Sequence, residues 1–101
     1  MASRTLSQQR RWLMNKYGVS LGDLEEILLA QGLQCPICET PMRMLDGVAN
    51  VDHDHSTGYV RGVLCGSCNR GLGNFKDNVE FIERAALYLH EAKANSEAYT
   101  I

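Results

Sequence analysis

At 101 residues the chain has room for one domain, near the lower limit for folding on a single apolar core, and none for two catalytic domains or a large nucleotide-binding fold. Apolar residues make up 45%, which excludes a disordered tail, but aromatics make up only 7%, so reinforcement by a metal or a partner is expected. The formal charge is −2: four Lys/Arg against three Asp/Glu over residues 1–34, four of each over 35–76, and two against five over 77–101. That excludes a generic polycation, so any nucleic-acid contact has to be local and basic, or metal-assisted.

Residues 6–17 (LSQQRRWLMNKY) have the makings of a short helix stopped by Gly18. Ser20 is a good N-cap, with Asp23 three residues on to complete a capping box. Leu21, Leu24, Ile27, Leu28 and Leu29 then recur at helical spacing as a core face, and this helix is expected to end near Gly32. Cys35-Pro-Ile-Cys38 follows as a tight knuckle. Val48 to Val51 reads as a strand, Ser56-Thr57-Gly58 as a turn, and Tyr59 to Leu64 as the returning strand of a hairpin. Cys65-Gly-Ser-Cys68 is a second knuckle. Asn69 to Asn74 is expected to open a helix that Gly71 and Gly73 weaken. Asp77, with Glu80, is expected to cap a last helix running to about Ala94. Ile27 to Ala30 is the longest aliphatic run, too short for a bilayer, and residues 1–17 hold no signal-peptide apolar stretch. A soluble cytoplasmic protein with no membrane partner is expected.

The four cysteines, Cys35, Cys38, Cys65 and Cys68, form two C-x-x-C pairs separated by 26 residues. Each pair offers two soft ligands from one turn, and the hairpin between them is long enough to bring the pairs together. One tetrahedral structural zinc is the favoured reading; another metal or cluster, and disulfides or free thiols, are the alternatives. Four thiolates already satisfy zinc, so such a site is closed and non-catalytic, and its binding energy becomes folding energy.

Val51-Asp52-His53-Asp54-His55 is the densest polar constellation and holds two of the three histidines. It has two bland readings: a solvated hairpin end, or spare zinc ligands that four thiolates make unnecessary. Its chemical reading is a hydrolytic site. A histidine near neutrality accepts a proton from water. A carboxylate beside it holds a hard divalent cation such as Mg²⁺, which polarises a phosphoryl oxygen. One carboxylate is a thin cage, and Asn69, directly after the second knuckle, offers a further oxygen. Asp52 and His53 would point to opposite faces of an ideal strand, so the strand is expected to end near Val51 and the run to bend into the loop.

CPICE followed by VDHDHSTGYVRGVLCGSCNRGLGNF resembles the recombination endonuclease VII family of phage nucleases, within the His-Me finger (ββα-metal, HNH-like) superfamily. The match is close over about residues 35–75, and YGVSLGDLEEILLAQGLQ looks like the family's lead-in helix. The resemblance implies a small α+β fold: a helical lead-in over 1–34, a zinc-stapled ββα finger over 35–76, and a C-terminal helix over 77–94. It implies a divalent-metal-dependent DNA endonuclease that leaves 5′-phosphate and 3′-hydroxyl ends. By position, His53 matches the general base, Asp52 and Asn69 the ligands of a catalytic Mg²⁺-like ion, and His55 an assisting histidine. Cys35, Cys38, Cys65 and Cys68 match the zinc ligands. Asp54 and Arg61 lie in the motif too, either paired across the hairpin or with Arg61 on phosphate. The chain is shorter than the resolvases that define the family, so the chemistry transfers better than a preference for branched DNA. Monomer and homodimer both stay open. A non-catalytic zinc module binding DNA or protein is the competing function, and a structural zinc protein in a phage-type assembly a third. Candidate DNA contacts are Arg61, Arg70 and Lys76 around the finger. Arg10, Arg11 and Lys16 on the first helix are further candidates, with an ordinary solvated face as the alternative.

Overall fold

The computed structural model describes residues 5–95, with the side chains of Leu6, Ser7, Gln9 and Arg10 outside the described set. The Arg10 candidate therefore lies outside the described residues. The chain forms two compact units, residues 1–69 and 70–101. Six elements follow in order: α1 (Leu6–Tyr17), α2 (Leu21–Ala30), β1 (Ala49–His53), β2 (Val60–Cys65), α3 (Gly66–Asn74) and α4 (Val79–Ala94).

Side-chain caps set both leading helices. Thr5 accepts from the Gln8 N–H at 3.2 Å while the Gln8 side chain accepts from the Thr5 N–H at 2.8 Å, two orphan donors satisfied reciprocally. Gly18, at φ 68°, closes α1 by donating to the Met14 carbonyl at 2.9 Å, a left-handed turn that costs glycine nothing. Ser20 and Asp23 make the expected box at 3.0 and 3.1 Å. Leu21, Leu24 and Leu28 are buried, as the helical spacing requires, but Leu29 is 63% exposed. The helix stops at Ala30, two residues before Gly32, because the Gln31 N–H already bonds back as the C-cap. Leu13, Leu21, Leu24, Leu28, Met42, Val63, Leu64, Cys35 and Cys65 form the core, all within the first unit.

β1 and β2 are antiparallel, with Ala49 opposite Cys65, Val51 opposite Val63, Asp52 opposite Gly62 and His53 opposite Val60. Arg61 has no opposite residue, so it is the extra residue of a β-bulge. The ladder therefore continues through His53 rather than ending near Val51. Asp54 then shapes the turn: one of its carboxylate oxygens accepts from the Ser56 N–H at 2.8 Å, the Ser56 hydroxyl at 2.6 Å and the Thr57 N–H at 3.1 Å. Ahead of β1, one carboxylate oxygen of Asp46 takes the N–H groups of Val48 and Ala49, each at 2.8 Å.

A two-stranded sheet is marginal by itself, and its β2 edge is closed by a side chain. The Gln31 amide donates to the Val63 carbonyl at 2.8 Å and accepts the Val63 N–H at 3.0 Å, as a neighbouring strand would. It also donates to the Gln34 carbonyl at 3.2 Å. A Cβ at Gly62 would lie 3.0 Å from the Gln31 side-chain oxygen, so the close approach depends on glycine there.

Two helix starts differ from expectation. α3 begins at Gly66, inside the second knuckle, so Cys68 and Asn69 both sit on helix. The α4 cap is Asn78, which accepts from the Phe81 N–H at 3.0 Å, rather than Asp77. Lys76 and Asp77 are both left-handed, at φ 57° and 54°. The extended backbone that an N-cap needs is first reached at Asn78 (φ −86°, ψ 109°). No residue of α4 is buried. Among the described residues no helix is long and apolar enough to cross a membrane.

Val63 is fully buried, so removing its amide partner strands a donor and an acceptor. Gln31→Ala should lower the unfolding free energy by about 1–3 kcal/mol, read from denaturant melts. Gln31→Glu keeps the shape but presents no donor to the carbonyl, and should be no better than alanine at neutral pH.

Candidate active site and metal centre

The two knuckles meet. All four cysteine sulfurs lie within 4.8 Å of one another, and none forms a disulfide. A tetrahedral ion with bonds of about 2.3 Å spaces its sulfurs by about 3.8 Å, so the cluster suits one such ion. The first knuckle is held by the Glu39 N–H on the Cys35 carbonyl (2.8 Å) and the Cys35 N–H on the Thr40 carbonyl (2.9 Å). In the second, the Cys68 N–H approaches the Cys65 sulfur at 3.4 Å. Burial opposes ionisation of Cys35, but the backbone groups of Cys38, Cys65 and Ile37 outweigh it and hold the thiol below its ordinary value. The Thr40 hydroxyl, 3.0 Å from the Cys38 sulfur, leads the effects that bring Cys38 down to about 6. Burial, then hydrogen bonds with the other three thiols, pushes Cys68 up to about 12. Four crowded sulfurs thus resist joint ionisation, and a dication that takes them all as thiolates removes the conflict.

A groove of about 510 Å³ lies against β1, lined by Trp12, Leu13 and Tyr17 from α1, Met44, Leu45 and Gly47 from the loop before β1, Ala49 to His53, His55 and Asn69. It therefore gathers Asp52, His53, His55 and Asn69. The bulge next to Asp52 and His53 is a local kink of the kind that re-aims side chains, and the two neighbours share this groove. Asp52 is only 7% exposed. Its two carboxylate oxygens accept from Arg61 at 2.9 and 2.8 Å, the bidentate fork that suits guanidinium. Arg61 is thus forked onto Asp52, while its charge also acts on Asp54, one oxygen of which shapes the turn. His53 is half-buried and His55 exposed. Their ring centroids are 4.7 Å apart, and Tyr17 lies 5.5 Å from His53 on its other contact. Asn69 is half-buried, one residue after the cluster cysteine Cys68 on α3.

The donors fit a hard divalent ion. A carboxylate offers about four lone-pair sites, so the two bonds from Arg61 leave acceptor capacity on Asp52, and Asn69 adds a neutral oxygen on the same groove. Arg70 and Lys76 are exposed residues of the second unit. Arg11 and Lys16 are exposed on α1.

The family model for recombination endonuclease VII matches residues 10–91. The chain belongs to the recombination endonuclease VII family. Two mycobacteriophage proteins are similar along most of it. The Gene 59 protein of Mycobacterium phage L5 is 38% identical over 90 residues, covering 85% of this chain and 54% of that protein. Its counterpart from phage D29 is 35% identical over 94 residues, covering 92% and 56%. Among solved structures, the ββα-Me type II restriction endonuclease Hpy99I superimposes with a TM-score of 0.54 at 32% identity, covering 90% of this chain and 56% of that one. The chain spans about half the length of the relatives it matches. β1, β2 and α3 follow the ββα order of that fold, beside a four-cysteine cluster.

Three features of this endonuclease VII family member escaped the sequence. Trp12 and Tyr17 gave only a helical pattern, with nothing to say that α1 lies along the groove. The partner of Arg61 depended on a bulge that no local residue signals. Gln31 looked like an ordinary helix end.

Two outcomes test the site's framework. Purified protein should carry one ion per chain on the four sulfurs, and strong chelation should collapse its cooperative melt; elemental analysis and calorimetry read both. The Ser56 hydroxyl and nearby N–H groups hold the Asp54 carboxyl down to about 2. A depressed acid stabilises the fold above its unfolded pKa of about 4 and loses that contribution as pH falls through the folded value. The turn bearing His55 should therefore loosen between about pH 4 and pH 2 in wild type, followed by amide exchange, and Asp54→Ala should be loose already at neutral pH.

Proposed function

We propose that the chain is a divalent-metal-dependent DNA endonuclease with one structural zinc. The observation that carries this reading is the single groove holding Asp52, His53, His55 and Asn69 together. His53 is the general base: one ring nitrogen takes a proton from water, whose oxygen attacks phosphorus. The bond from phosphorus to the 3′ oxygen breaks, that oxygen gains a proton, and the ends are 5′-phosphate and 3′-hydroxyl. His55, in ring contact with His53, supports the phosphate or the leaving oxygen. Asp52 and Asn69 hold a Mg²⁺-like ion, which when bound supplies positive charge to the phosphoryl and leaving oxygens. Arg61 keeps the Asp52 carboxylate oriented. Arg61, Arg70 and Lys76 are proposed phosphate contacts, as the acidic overall balance demands local cations. Cys35, Cys38, Cys65 and Cys68 hold the zinc, which ties the start of α3, and so Asn69, to the end of β2. Phage relatives and the lack of a membrane-length helix among the described residues favour work in a host cytoplasm.

Plasmid nicking with and without Mg²⁺ tests the reading. His53→Ala should cut about 10²–10⁴-fold more slowly while still binding DNA and the ion. Asn69→Ala should regain part of its lost activity at high metal concentration, since mass action refills a weakened site. Asp52→Asn should regain less, because it loses the charged ligand and the partner of Arg61 together. DNA binding without cutting in any divalent ion would leave the non-catalytic zinc module instead.

A further inference from the structure

α1 brings a cation to the groove in an unusual setting. Trp12 and Lys16 are four residues apart and share a helix face. The Lys16 ammonium lies 4.9 Å from the Trp12 ring centroid and 5.6 Å from that of Tyr17, while the two rings meet edge to face at 5.8 Å. Both rings line the groove. Lys16 pairs with no carboxylate among the described residues, whereas Arg61 is forked onto Asp52. An exposed lysine ordinarily spends conformational entropy when it orders on a ligand. Two aromatic faces hold this ammonium in advance.

The ring contacts also set a distance. Tyr17 is 5.5 Å from His53 and 5.6 Å from Lys16 Nζ, so that ammonium lies no more than about 11 Å from the His53 ring. One strand of B-DNA carries a charge about every 3.4 Å of axis rise, and the backbone also winds around the axis, so the reach covers fewer than about three phosphates on either side of the one attacked.

We propose that Lys16, clamped between Trp12 and Tyr17 at the rim of the His53 groove, is the subsite for a DNA phosphate flanking the scissile one. The subsite rests on the nuclease reading above. It gives α1 a part in the reaction: it sets the register of the strand, so that one phosphate is presented to His53.

The competing role for Lys16 is structural, as a cation at the helix C-terminus. The test uses the 101-residue chain with His53→Ala, and the DNA that the wild-type chain nicks, labelled with fluorescein. Binding is followed by anisotropy over a range of salt. Lys16→Met keeps the stem over the rings and removes the charge. It should lower the slope of log K against log salt by about 0.9 and weaken binding by about five- to tenfold at moderate salt, and Lys16→Arg should restore both. Trp12→Leu should weaken binding when Lys16 is present and add little in Lys16→Met. An unchanged slope in Lys16→Met overturns the subsite, and a lowered melting temperature with that unchanged slope assigns Lys16 to the helix end. Equal losses from Trp12→Leu in both backgrounds overturn the clamp. Should the wild-type chain nick no DNA, the nuclease reading fails first and the subsite with it. Should it nick DNA while Lys16→Met binds with the wild-type slope, only the subsite fails.

Discussion

Four sulfurs within 4.8 Å of each other carry most of the order in the first unit. The sheet has two strands and the core nine residues, too little to fix a hairpin end against a helix start without help. The cluster supplies the missing constraint at one point. Cys65 ends β2, Cys68 sits in the first turn of α3, and Cys35 and Cys38 anchor the turn that follows α2. With those three elements meeting at the cluster, Asn69 has little freedom, because the next residue toward the N-terminus, Cys68, is part of it.

A second constraint on the hairpin is the bulge. A regular ladder would put Asp52 and His53 on opposite faces, and no single phosphate could meet both. One additional residue in β2 kinks the hairpin at that step, and the groove takes in both residues. The inserted residue is Arg61, which then neutralises the carboxylate beside the bulge. Geometry and charge balance thus come from the same position. A buried carboxylate is costly to hold without a partner, and Asp52 has one in Arg61.

Much of this was legible in the sequence, and the rest was not for identifiable reasons. Helix starts with reciprocal side-chain caps read correctly at Ser20 and Asp23, because the signal is local. The cap of α4 was misplaced by one residue because two consecutive left-handed residues, Lys76 and Asp77, precede it, and neither is a glycine. The four cysteines announced their cluster through spacing alone. The run Asp52 to His55 announced a polar constellation, and one groove takes in Asp52, His53 and His55 with Asn69. What stayed hidden were three relations fixed by tertiary contact: Arg61 with Asp52, Gln31 with Val63, and Tyr17 with His53. A polar side chain that serves a distant backbone leaves no periodic trace.

The Gln31 clamp has a kinetic consequence. Its bonds to Val63 span 32 residues, and the cluster contact between Cys38 and Cys65 spans 27. Both close nearly the same loop, so the chain-entropy cost of closure is met once and shared. A metal ion caught by the first knuckle and then the second would bring β2 within reach of α2 before any strand pairing is complete. If the cluster takes an ion, its capture would assist the search for strand register, and a chain kept without an ion would leave the β2 edge open for longer, the state from which such hairpins associate with one another.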